Sequence, residues 1–95
     1  MARAEGMEGF GQVSPASSAE TMFELGLLYC LGRGVEMDLV TAHKWFNIAA
    51  MRGCVAAKEY RTEICRDMTA KQIAEAQRSA REWIGQTAAV EPVLQ

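Results

Sequence analysis

Residues 25–53, "LGLLYCLGRGVEMDLVTAHKWFNIAAMRG", set two glycines between two apolar runs of helical period. Glycine takes positive φ without steric penalty, so a helix that runs into Gly32 meets a stop at a left-handed C′ position. Gly34 permits a second unusual turn conformation two residues on. Asp38 follows, and its carboxylate suits the N-cap of a new helix. A helix that ends near Leu31 and another that starts after Asp38 define a helical hairpin, and the fold of the whole chain has to be built around it.

The flanking residues say how the hairpin interlocks. From Ala19 onward, Met22, Leu25, Gly26 and Tyr29 fall on one stripe, widened by Phe23, Leu27, Leu28 and Leu31. That helix is apolar almost all round, which implies burial on more than one side. Ser17 or Ser18 caps its start, and Ser17 with Glu20 has capping-box spacing. On the second helix Ala42, Trp45, Phe46, Ala49, Ala50 and Gly53 recur at helical spacing, with Lys44 and Asn47 on the wet side. Alternating small and large side chains let one helix seat against another. Neighbouring residues on a helix point roughly 100° apart, so Trp45 and Phe46 face different partners. Both rings are core, or one edge lines a recognition groove.

Beyond Gly53, "CVAAKEYRTEICRDM" forms a third helix with Val55 (or Ala56), Ala57, Tyr60 and Ile64 turned inward. Thr69 with Gln72 is a second capping-box pair. It opens "AKQIAEAQRSAREWIG", rich in strong helix formers, with Ile73, Ala76, Ala80, Trp83 and Ile84 on the apolar face and Gly85 as its stop. Residues 1–18 and 86–95 are expected to be flexible tails, the second with Pro92 as a helix stop. No alternating run suggests a strand. The predicted fold is all-α: two stacked antiparallel helix hairpins spanning residues 19–85.

Composition narrows the function. Hydrophobic residues make up 49% of the 95-residue chain, which excludes wholesale disorder. The net charge is −2 and the basic residues are interleaved with acids, a poor footprint for nucleic acid. No stretch reaches the ~18 apolar residues of a membrane helix. The first residues lack the apolar region of a signal peptide, so the expected location is cytoplasmic. An odd count of three cysteines, Cys30, Cys54 and Cys65, is not a disulfide framework and carries no zinc-site spacing. They read as small apolar residues of the interior.

Nothing in the chain assembles an active site. His43 is the only histidine, and Leu39 and Asn47, its neighbours one turn away, activate nothing. It reads as a polar, partly exposed helix residue. "GRGV" lacks the spacing of a phosphate loop. Glu59, Glu63 and Asp67 lie among Arg and Lys and read as solvated surface charge. Neither catalysis, nor a cofactor, nor a metal is expected.

Residues 20–57, "ETMFELGLLYCLGRGVEMDLVTAHKWFNIAAMRGCVAA", resemble a Sel1-like repeat, a relative of the tetratricopeptide repeat. The family pattern is met by Leu25, Gly26, Tyr29, Gly32, Gly34, Val35, Asp38, Ala42, Trp45, Phe46, Ala49, Ala50 and Gly53. A step of 36 residues carries Leu25 to Arg61, Gly26 to Thr62 and Tyr29 to Cys65, none of them the family residue. Residues 19–53 therefore resemble one full repeat, and 54–85 a degenerate capping hairpin of the kind that solenoids need at their ends. The resemblance implies a short α-solenoid that binds another protein through its helix-hairpin faces, as an adaptor or scaffold. Candidate contact positions are Tyr29, His43, Asn47 and Met51, with Met22 and Tyr60 behind them. The alternative is self-assembly, because a lone full repeat leaves a stacking face that a homodimer would cover.

Overall fold

The glycine turn forms as expected in the computed structural model, which describes residues 17–90. Helix α1 spans Ala19–Leu31 and stops where Gly32 enters the left-handed region at φ 71° and ψ 37°. Gly34 also has positive φ, at 73°. The Asp38 N–H donates to the Tyr29 carbonyl at 3.0 Å, which ties the start of α2 to the last turn of α1. Asp38 caps α2, Leu39–Met51, by accepting from the Val40 and Thr41 N–H groups at 3.1 and 3.2 Å. Its second carboxylate oxygen accepts from the Thr41 hydroxyl at 2.8 Å.

At the other end, Ser18 rather than Ser17 caps α1: its hydroxyl accepts from the Thr21 N–H at 3.1 Å. Ser18 has extended backbone directly ahead of the first helical residue, and Ser17 stands one position too early. The Ser17 carbonyl instead accepts from the Arg52 guanidinium at 3.1 Å. Ser17 thus lies by Arg52, Gly26 by Phe46 and Tyr29 by Asp38, which makes α1 and α2 antiparallel.

Close approach of these two helices depends on Gly26. A Cβ placed there would lie 2.5 Å from two carbons of the Phe46 ring. That ring is fully buried and has nowhere to swing. Gly→Ala inside a helix normally stabilises by about 1 kcal/mol. Here the overpacking penalty, ~1–3 kcal/mol, opposes that gain. Gly26→Ala is expected to lower the midpoint of urea unfolding; a raised midpoint would show that the ring yields freely.

Helix α3 spans Val55–Ile64, a 3₁₀ turn covers Cys65–Asp67, and α4 spans Ala70–Val90. The chain enters α3 through Gly53, whose φ is 101°, with the Cys54 N–H donating back to the Ala49 carbonyl at 3.0 Å. The Thr69–Gln72 capping box is present and reciprocal: the Gln72 N–H donates to the Thr69 hydroxyl at 3.0 Å, and the Thr69 N–H to the Gln72 side-chain carbonyl at 2.9 Å. Gly85 does not end α4, which continues to Val90. An interior glycine costs only about 1 kcal/mol, and the Gln-Thr-Ala-Ala segment after it contains no breaker. Pro92 lies outside the described residues.

Helix α2 is the hub. It packs on α1, on α3 and on α4, whereas α3 and α4 come close to one another at hardly any position. The third helix turns inward less than its sequence suggests. Ala57 and Ile64 are buried, but Val55 is 70% exposed, Ala56 is exposed and Tyr60 is only partly covered. Ala76 and Ala80 are the deepest positions of α4. With so few large side chains between them, α3 and α4 each lean on α2.

Two aromatic clusters fasten the hub. Phe23, Phe46 and Tyr60 join α1, α2 and α3, with ring centroids 5.5–5.8 Å apart. Trp45 meets Trp83 of α4 edge-on at 5.4 Å. The two adjacent aromatic residues do face different neighbours.

Candidate interaction surface

The four candidate contact residues do not form one open face. His43, Asn47 and Met51 lie at successive helical turns of α2, on a stripe that reaches toward α3. His43 is buried, with 2% of its surface exposed, and is not the partly exposed residue that its place in the sequence suggested. Three helices surround α2, so the side that reads as wet in the sequence is covered. Asn47 is partly buried and its side-chain carbonyl accepts from the Arg61 guanidinium of α3. Only Met51, 65% exposed, stands clear at the end of the stripe. Tyr29 is half-buried on α1, and Met22 is fully buried and belongs to the core. Tyr60 exposes part of a ring whose other side rests on Phe23 and Phe46.

The polar groups near this stripe are held in unfavourable surroundings. Burial pushes the His43 imidazole below the ordinary histidine range, the Arg61 charge pushes the same way, and a backbone hydrogen bond opposes them in part. Its Nδ1 is buried without a hydrogen-bond partner. Burial also lowers the Lys44 ammonium, which lies 4.7 Å from the Trp45 ring centroid; the charge of Glu82 opposes that effect. The Cys30 thiol is raised by burial and so is a poor nucleophile. All three cysteines are free thiols, and all are half-buried rather than interior.

The sequence reading missed Leu31 and Met37, 57% and 61% exposed, which flank the α1–α2 turn. Leu31 is the last residue of α1 and Met37 lies in the turn that follows, and both stay open to solvent at this end of the hairpin. Outside α1, Glu24, Leu27, Leu28 and Arg33 line a shallow depression. Others run along α3, lined by Val55, Lys58, Glu59, Thr62 and Glu63, and along α4, lined by Lys71, Ala74, Glu75, Arg78 and Arg81. None is a cleft between elements. Among the described residues no group of three His, Cys, Asp or Glu side chains is placed to hold a metal ion, and no helix is long and apolar enough to cross a membrane. No protein-family model, curated protein or solved structure matches the chain.

Proposed function

We propose that the chain is a small cytoplasmic adaptor that binds another protein through its helix faces, built as one Sel1-like repeat and a capping pair. The observation that carries this reading is the state of α1. It is apolar almost all round, yet α2 is the only helix it packs on extensively. Leu27 and Leu28 stay half-covered and Leu31 and Met37 exposed, with Glu24 and Arg33 at the margin. An apolar centre with a charged edge is the usual anatomy of a protein-binding patch.

The repeat reading rests on what the signature residues do. Gly26 admits Phe46, Gly32, Gly34 and Gly53 hold positive φ, and Asp38 caps α2. In this reading α1 and α2 are the full repeat. Helices α3 and α4, with Lys58, Glu59, Glu63, Lys71, Glu75, Arg78 and Arg81 exposed, are its polar end. Three free thiols suit a reducing compartment. Catalysis is not part of the proposal, because the one imidazole is closed off from solvent.

The test uses Leu31→Asp with Met37→Asp, two exposed positions whose change leaves the core alone. Tagged wild-type chain and the double variant are cross-linked in cell extract, and both are sedimented over a hundredfold dilution. A stoichiometric foreign protein captured by wild type and lost with a folded double variant supports the adaptor. A wild-type dimer abolished by the same changes would replace it with self-assembly. Monomeric wild type with no captured protein would sink both readings.

A further inference from the structure

The geometry points to His43 as an acid-operated latch that releases α3 from α2. The imidazole is enclosed, Nδ1 has no hydrogen-bond partner, and the ring lies one helical turn from Asn47, which Arg61 of α3 holds. A neutral ring tolerates this site. An imidazolium has two N–H donors and needs acceptors for both. The Asn47 side-chain carbonyl, one turn along the helix, accepts from Arg61, and Nδ1 makes no bond to it. Protonation therefore puts a second positive charge near Arg61 with no anion to answer it.

Charges on the other elements do not relieve the ring. Among the described residues Arg61 of α3 is the ionised side chain whose charge bears on His43. On α1, Glu20 and Glu24 are exposed, and on α4 the Glu82 carboxylate acts on Lys44 instead. On α3 itself, Lys58, Glu59 and Glu63 are exposed to solvent.

Helix α3 is short and lightly held. It buries only Ala57 and Ile64, its N-cap Cys54 makes no side-chain capping bond, and it scarcely meets α4. Gly53 and the Cys65–Asp67 turn bound it on either side. Swinging α3 away hydrates both His43 and Arg61, so the opened state takes up the proton that the closed state refuses.

The sign follows from linkage. The closed state holds His43 below its ordinary value, while the open state restores it to about 6.5. Closure is fully favoured above about pH 6.5 and is lost as the pH falls through that value, until the closed-state ring itself protonates. Between those limits each pH unit moves the closed-to-open ratio by at most about tenfold toward open.

Native-state hydrogen exchange on the full chain between pH 7.5 and 5, expressed as protection factors, reads this directly. The expected result is a progressive loss of protection in α3 below about pH 6.5, by at most about tenfold per pH unit, while α1 keeps its protection. His43→Gln is expected to abolish the pH dependence. Arg61→Gln removes the opposing charge and is expected to shrink it, and that variant carries the test if His43→Gln does not fold. Equal loss in every helix, protection in α3 that does not change with pH, or a His43 ring that titrates at 6.5 or above in the folded chain would overturn the latch.

Discussion

Phe46→Ala is expected to lower the free energy of unfolding by about 3–5 kcal/mol, the usual cost of removing a buried phenylalanine. The ring is fully buried and sits where three helices meet: over Gly26 of α1, against Phe23 and against Tyr60 of α3. Collapse of α1 onto α2 cannot refill the space without pulling Phe23 and Tyr60 out of register. Small domains are stable by only ~5–15 kcal/mol, so the variant loses a large share of its stability. Urea denaturation followed by circular dichroism measures the change. A loss below about 1 kcal/mol would mean that the ring is not where the three helices join. The same residue makes a second, sharper forecast. In the Phe46→Ala background the clash at Gly26 is gone, so Gly26→Ala should become neutral or stabilising.

Trp45→Ala comes next, at about 3 kcal/mol or more. Trp45 is nearly buried and meets Trp83 edge-on, at an interplanar angle of 73°. This pair is the main aromatic link from α2 to α4. Lys44 lies over the Trp45 ring, and Arg52 lies 5.6 Å from the Trp83 centroid, so cations flank the pair. Trp83 is only half-buried, and Trp83→Ala should cost less than Trp45→Ala. The two changes should also be non-additive, with a coupling of about 0.5–1.5 kcal/mol for the edge-to-face contact. Denaturation of both single variants and the double variant closes the cycle. Strict additivity would remove Trp83 as the partner of Trp45 and loosen the placement of α4.

These two rings mark how far the sequence could be read. Their divergence was legible, because adjacent residues on any helix point apart. Their partners were not: Tyr60 and Trp83 come from elements far along the chain. The candidate surface was the least legible part. Tyr29, His43, Asn47 and Met51 were the expected contact positions, but His43 is buried, Asn47 is bonded to Arg61 of α3, and Leu31 and the turn residue Met37 are exposed instead. Gly85 resembled Gly32 in letter only. Gly32 turns left-handed with its N–H bonded to the Leu28 carbonyl, while Gly85 stays helical because nothing after it competes with the next turn.

The residues by themselves determined the beginnings of three helices and the end of one. Ser18, Asp38, Thr69 with Gln72, and Gly32 act on partners two to four positions away, so their effect is written in local order. What only the tertiary structure decided is which sides of those helices meet water. Burial depends on neighbours delivered from elsewhere in the chain. With three helices gathered on α2, His43 passed from a surface residue to an enclosed one although nothing beside it in the sequence differs.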